Sequence, residues 1–290
     1  MRSLLAVPAT NPRFLEKGAQ SPADAVFIDL EDAVVPELKA EGRGSAIEAI
    51  GKLDWGARTL MVRVNDRSTP WCETDLVELA RGSPRLDAVI LPKCDSPEDV
   101  RAAEALLATG ERSSQRKAPV RLYALVETTR GVANVEAIAA SSPRLAGLIF
   151  GAGDYQLDLG VLEPQGPFTF AMARIANAAR AWGLTPIDAP YFDIGNTEGM
   201  RGACKLAQSL GFEGKMAIHP SQVEVANAVF APTAAQIAWA REVLEAMDAA
   251  AAAGRGAARL KDGKMIDLVH IKIARRILER ADRNATGGVK

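Results

Sequence analysis

Short apolar runs rich in β-forming residues recur along residues 1–230, and each is followed by a longer segment of helical period. The runs are "SLLAVP" (3–8), "AVFIDLE" (25–31), "TLMVRVN" (59–65), "LDAVILPK" (86–93), "VRLYALVE" (120–127), "LAGLIFGAGD" (145–154), "TPIDAP" (185–190) and "KMAIHP" (215–220). This alternation is the mark of repeated βα units. Between the runs, "SPEDVRAAEALLATG" offers Ser96 as N-cap, Pro97 at the first helical position and Gly110 as a stop. "TEGMRGACKLAQSLG" repeats the pattern with Thr197 and Gly211. An open doubly wound sheet would show the same alternation, but the count of runs and the lack of GxGxxG after the first favour a closed (β/α)₈ TIM barrel.

The pattern changes after Phe230. A helix fades through an alanine run into Gly254 and Gly256, a flexible joint. Asp262-Gly263 then marks a hairpin turn, and "LVHIKIARRILERA" is an amphipathic helix with Leu268, Ile271, Ala274, Ile277 and Leu278 on its apolar side. The expected organisation is a barrel domain over 1–230 and a helix-and-hairpin extension over 231–290. The extension is too small to fold alone, so it must dock on the barrel or on a neighbouring subunit.

Composition narrows the function classes. The 290 residues carry 35 Lys+Arg and 36 Asp+Glu, a formal net charge of -1. No global field draws this chain to nucleic acid or an anionic membrane, so neither is expected as a partner. The N-terminal apolar run is too short for a signal peptide, and no later stretch approaches a membrane span. Cys72, Cys94 and Cys204 are widely spaced, which points to free thiols in a reducing cytoplasm. With only His219 and His270, a Ser-His-Asp triad or a multi-histidine zinc site lacks material.

Polar residues gather where the strands end. In a (β/α)₈ barrel these ends face the active site. Strand two brings Asp29, Glu31 and Asp32, strand three Arg63 and Asn65, and strand four Lys93. Glu127, Asp154, Asp188 and His219 follow from strands five to eight. Asp29 and Glu31 read equally well as catalytic acids or as structural partners of Arg63 and Lys93. Lys93 reads as an ion-pair partner before a Schiff-base nucleophile, and His219 as a hydrogen-bonded rim residue. Asp158 is expected to face solvent or cap a loop, and residues 111–118 to form an exposed polar loop. Glu127 and Asp154 end neighbouring strands and offer only oxygen ligands, which suits Mg²⁺ and its retained waters. A glycosidase would also present two carboxylates.

Several of these stretches, in order, resemble one family. "RSLLAVPATNPRFLEKG", "AVFIDLEDAV", "VRVN", "LPK", "LVETTRG", "FGAGDY", "GFEGKMAIHPSQV" and the later "DGKMID" are similar to the citrate lyase β-subunit-like CoA-ester lyases of the HpcH/HpaI aldolase superfamily. The resemblance implies a (β/α)₈ barrel that binds Mg²⁺ through Glu127 and Asp154. It implies that Arg63 contacts the substrate's carboxylate or carbonyl oxygens. It also implies that the C-terminal segment is a lid, laid over a neighbouring subunit's site in a homo-oligomer such as a trimer or hexamer, with Asp267 in acid/base chemistry.

The implied substrates are a CoA thioester and a small 2-oxo acid, joined or separated by a cytoplasmic lyase. A thioesterase on the same scaffold, an aldolase of free 2-oxo acids and a citrate lyase subunit working within a complex are the alternatives. Many relatives write "GAED" where this chain has "GAGDY", so Gly153 removes a carboxylate near the metal's surroundings. "PIDAPYFDIGN" is a second local variant, and Gly131 is read as letting the helix after Glu127 start close to the site.

Overall fold

The computed structural model describes residues 1–114, 116–163 and 166–285. It contains two compact units, Met1–Phe230 and Ala231–Lys290. In the first, β1 (Ser3–Pro8), β2 (Ala25–Asp29), β3 (Thr59–Arg63), β4 (Ala88–Leu91), β5 (Arg121–Val126), β6 (Leu145–Phe150), β7 (Thr185–Asp188) and β8 (Gly214–Ala217) pair in sequence order. All pairs are parallel, and β8 closes on β1 with Leu4 opposite Met216. The chain is a (β/α)₈ barrel, as its eight runs predict.

The connecting helices are α1 (Pro12–Gln20), α2 (Lys39–Lys52), α3 (Cys72–Gly82), α4 (Pro97–Glu111), α5 (Thr129–Ala133), α6 (Val135–Ala139), α7 (Ala152–Leu159), α8 (Thr169–Ala181), α9 (Thr197–Ser209) and α10 (Pro220–Phe230). Their signals are local. Ser96 and Asp99 close a capping box on α4, and Thr128 caps α5 by accepting the Gly131 N–H at 2.9 Å. Three expectations are corrected. Gly110 lies inside α4, where a Cβ would run into the Val77 carbonyl oxygen and come within 2.9 Å of Ala80 Cβ. It is a close-approach residue between α3 and α4, not a stop. Asn196, not Thr197, caps α9: its side-chain carbonyl oxygen accepts the Gly199 N–H at 2.8 Å. Residues 111–118 are not simply an exposed loop, since Glu111 accepts the Val120 N–H at 2.7 Å and Arg116 donates to the Ser83 and Leu86 carbonyls. Residue 115 of that stretch lies outside the described residues.

Two apolar layers follow from strand alternation. Leu4, Ala25, Phe27, Met61, Ala88, Ile90, Tyr123, Leu125, Ile149, Ile187 and Met216 fill the lumen. The intervening strand residues, such as Val26, Ile28, Leu60 and Val62, pack outward against the helices. Cys72, Cys94 and Cys204 are free and buried.

The second unit holds α11 (Ala234–Ala252), the antiparallel pair β9 (Ala258–Arg259) and β10 (Met265–Ile266), and α12 (Leu268–Ala285). Gly263, with φ 88°, turns the hairpin. Ala240, Val243, Met247, Leu260, Ile266 and Ala274 form its core, with Ile271, Ile277 and Leu278 packed on it. Leu268, expected on the apolar side, is instead 66% exposed because it stands at the first position of the helix, ahead of the core contacts. Among the described residues no helix is long and apolar enough to cross a membrane.

Candidate active site

The lumen series of each strand decides which rim residues point inward. Ala25 and Phe27 lead to Asp29, Met61 leads to Arg63, and Leu125 leads to Glu127. These side chains stand above the packed lumen layer, with the Arg63 guanidinium 5.9 Å from the centre of the Phe27 ring. The opposite parity removes Asp188 from the group. It follows Ile187, so it turns to the helix side and pairs with Lys215, both side chains 4% exposed. The expectation that strand seven delivers its acid to the same rim is corrected by this alternation.

Arg63 is held by acids on every nitrogen. Nε and Nη2 donate to the two Asp29 oxygens at 2.8 and 2.7 Å, and Nη1 lies 3.0 Å from Glu31 and 3.1 Å from Asp32. Burial opposes its charge, but the Asp29 hydrogen bonds and the Asp29, Glu31 and Asp32 charges outweigh that, so it stays protonated. The loop after β2 is tied down as well. Asp29 accepts the Glu31 and Ala33 N–H groups at 2.9 and 3.1 Å, and the buried Lys39 Nζ donates to the Leu30 and Glu31 carbonyls at 2.8 and 2.7 Å.

Lys93 joins this acidic loop to Glu127. Among the described residues it is the one non-glycine residue in the left-handed region, with φ 45°. Such a conformation costs about 1–2 kcal/mol and persists where the surroundings impose it. Here its N–H donates to Glu127 Oε1 at 2.8 Å, while its Nζ donates to Glu31 Oε1 at 2.9 Å and lies 4.0 Å from Asp154. Burial works against the ammonium, but Glu31, Glu127 and Asp154 raise its pKa above the ordinary lysine value. A lysine held protonated is a poor Schiff-base nucleophile, and the ion-pair reading is the one its geometry supports.

Glu127 is 2% exposed, and its carboxyl is pushed up to about 8 by burial first, then by the charges of Glu31 and Asp154, against the Lys93 N–H and ammonium. Space for it comes from Gly151, the residue that precedes α7. A Cβ there would lie 2.5 Å from Glu127 Oε2. The glycine is visible in "FGAGD", but only the parallel pairing of β5 with β6 sets it against Glu127. Gly131 fits its expectation, since a Cβ would lie 2.7 Å from the Cys94 carbonyl oxygen, leaving α5 close to the loop after β4. Asp154 stands in the first turn of α7, half-exposed.

Asp29, Glu31, Asp32, Glu127 and Asp154 together outnumber Arg63, Lys93 and Lys39, and the cluster shows the strain of burying so much acid in two ways. Glu127 resists ionisation, and Glu31 Oε2 is buried without a hydrogen bond, its 3.0 Å approach to Arg63 being a misaligned charge contact. A hard divalent cation suits such a place. Among the described residues no three His, Cys, Asp or Glu side chains are grouped to hold a metal unaided. A cation bound by Glu127 and Asp154 must therefore complete its shell with water and substrate oxygens.

The remaining candidates have structural partners. His219 Nδ1 lies 2.8 Å from Ser221 Oγ, and Asp158 accepts the Thr129 N–H and hydroxyl at 2.6 Å. At Gly153 a Cβ would meet only the Phe192 ring, at 3.9 Å, so the missing side chain is not a steric necessity. Asp267 belongs to the second unit, where it accepts the Val269 N–H at 2.9 Å and pairs with His270 Nδ1 at 2.8 Å, capping α12. The His270 hydrogen bond holds its carboxyl below the ordinary carboxylate value.

Known proteins share this architecture and sequence. The sequence profile of the HpcH/HpaI aldolase/citrate lyase family matches residues 2–220. An L-malyl-CoA/beta-methylmalyl-CoA lyase of Cereibacter sphaeroides is 39% identical over 295 residues, covering 95% of this chain and 92% of that protein. A (3S)-malyl-CoA thioesterase of the same organism is 36% identical over 285 residues, covering 97% of this chain and 94% of its own length. The Mycobacterium tuberculosis CitE structure, in complex with magnesium, acetoacetate and coenzyme A, superposes with a TM-score of 0.76 at 30% identity over 97% of this chain and all of that one. With barrel and sequence in agreement, the chain belongs to the HpcH/HpaI aldolase/citrate lyase family and is an enzyme of its lyase class.

Proposed function

We propose that the chain is a Mg²⁺-dependent CoA-ester lyase. It cleaves, or in reverse forms, the carbon–carbon bond of a 3-hydroxy-carboxyacyl-CoA such as malyl-, citramalyl- or citryl-CoA, giving a 2-oxo acid and an acyl-CoA. The observation that carries the reading is the acid-rich surroundings of the buried Glu127 after β5, with Asp154 in the first turn of α7 close enough for its charge to raise the Glu127 carboxyl. The named activities of the relatives support it, as does the magnesium in the CitE complex.

Glu127 and Asp154 hold the ion, which when bound supplies Lewis acidity to substrate oxygens. Arg63 positions the substrate carboxylate. Its Asp29 pair is buried and bidentate, so the substrate takes over the Nη1 contact with Asp32, whose side chain is 64% exposed. Cleavage turns the hydroxyl carbon into the carbonyl of the 2-oxo acid and leaves a thioester enolate. The Asp267 carboxylate accepts the hydroxyl proton and delivers it to the enolate carbon, and in condensation the proton moves the other way. Asp267 arrives from a lid laid over a neighbouring subunit in a homo-oligomer, so closure completes the site. A second reading rests on the thioesterase relative. With water admitted, the same site would release free CoA.

The test is turnover of malyl-, citramalyl- and citryl-CoA with and without EDTA, following the 2-oxo acid and free CoA separately. The expected result is 2-oxo acid formation that EDTA abolishes and Glu127→Gln lacks. Metal-independent turnover would overturn the proposal, and CoA release without 2-oxo acid would establish the hydrolase.

A further inference from the structure

We propose that Lys93 is the site's own counter-ion, a positioning residue that holds the carboxylates together without metal and competes with the divalent cation for them. The inference rests on the Mg²⁺ site argued above and goes beyond it, because it assigns the lysine a cost as well as a use. Three observations converge on one residue. Its backbone is left-handed without being glycine, a conformation that L side chains adopt only under constraint. That conformation lets a single residue serve two carboxylates, giving Glu127 its N–H at 2.8 Å and Glu31 its ammonium at 2.9 Å. The ammonium is also 4.0 Å from Asp154, too far for a hydrogen bond and near enough for charge.

A cation on a tether in this place answers the excess of acid. Without it, Glu31 and Glu127 would face each other with only Arg63 and Lys39 nearby; Arg63 is already engaged by Asp29 on two nitrogens, and Lys39 donates to the Leu30 and Glu31 backbone carbonyls. The same placement is unfavourable once a divalent ion sits on Glu127 and Asp154, because two cations then share one set of acids. Lys93 therefore weakens metal binding while keeping the metal-free site assembled. Its partial exposure, 33% of the side chain, gives the ammonium room to lean away from Asp154 toward Glu31.

The experiment is direct titration of Mn²⁺ and Mg²⁺ by calorimetry, without substrate, into the full chain, Lys93→Met and Lys93→Arg. The Met variant should bind the ion roughly fivefold tighter or more, the factor that two unit charges about 4 Å apart carry in bulk water and a lower bound for a divalent ion at that range. The Arg variant should bind as the unaltered chain does. Without metal the Met variant should also melt at a lower temperature, and added Mg²⁺ should raise its Tm more than that of the unaltered chain. Equal or weaker metal binding by a folded Met variant would overturn the counter-ion assignment. Failure of the metal site itself gives a different result: the unaltered chain binds no divalent ion, or Glu127→Gln binds it as well.

Discussion

At the scale of single residues, the site depends on side chains that are absent as much as on those present. Glu127 is an acid that ends a buried strand, and burial raises its carboxyl to about 8. It fits only because Gly151 across the neighbouring strand has no Cβ. Gly151→Ala should cost about 1–3 kcal/mol by overpacking. Because it displaces the Glu127 carboxylate, it should also weaken Mn²⁺ binding roughly 10–100-fold. Calorimetry on a variant with unchanged circular dichroism checks this, and unchanged affinity would remove Gly151 from the site. The identity of Glu127 was legible in "LVETTRG", and Arg63 stood out at its strand end, whereas Asp154, expected to end strand six, lies in the first turn of α7. The engagement of Arg63 by Asp29 and Glu31 was legible only as one of two readings, and its contact with Asp32 was not legible. Ion pairing depends on side-chain direction, which strand position alone does not settle.

Elements come next. The eight strands could be read from their apolar runs because a buried parallel strand is written as a short continuous stretch of Val, Ile, Leu and Ala. Their register was not legible. One long-range contact at the bottom of the barrel helps set it. Arg2 donates from its backbone N–H and its guanidinium to Asp24 at 2.6–2.9 Å, fixing the start of β1 against that of β2. Burial alone would raise the Asp24 carboxyl, but the Arg2 hydrogen bonds and charge outweigh it and hold it below the ordinary 3.8. A depressed carboxylate stabilises the fold above its unfolded pKa, and that contribution is lost as pH falls through the lower folded value. Asp24→Asn should therefore be less stable than the unaltered chain by about 1–3 kcal/mol at neutral pH. The gap should close in acid, below the folded-state pKa. Urea denaturation across pH 2.5 to 7 measures it, and a gap that does not depend on pH would mean the ion pair is inert.

At the scale of the whole molecule, the proposed proton-transfer residue Asp267 belongs to the C-terminal unit. Asp267 caps α12 through Val269 and His270, a role that a structural aspartate would also fill. As the proton-transfer group of the proposed lyase, it has a different signature. Asp267→Asn should leave Mn²⁺ binding unchanged and reduce kcat by roughly 10²–10⁴-fold, the contribution typical of a general acid or base. If the lid serves a neighbouring subunit, mixing inactive Asp267→Asn chains with inactive Glu127→Gln chains should restore activity, through sites that receive one intact residue from each. Steady-state assays of the mixed and unmixed proteins decide it, and an Asp267→Asn variant with full kcat would confine that residue to capping.

The sequence by itself determined the barrel, the hairpin extension and the acids at the strand ends, because period, turn residues and the rule that strand ends face the site are local properties. It could not separate Asp188 from Glu127, although both end apolar strands. Only closure of the sheet decided that one faces the lumen and the other Lys215 among the helices. Tertiary structure likewise turned Gly110 from a stop into a helix contact, and drew Lys93 into a left-handed bridge between Glu31 and Glu127. The physical reason is common to all three. A residue's charge and size are written in the chain, but which groups share its low-dielectric surroundings is set by strands and loops far away in sequence.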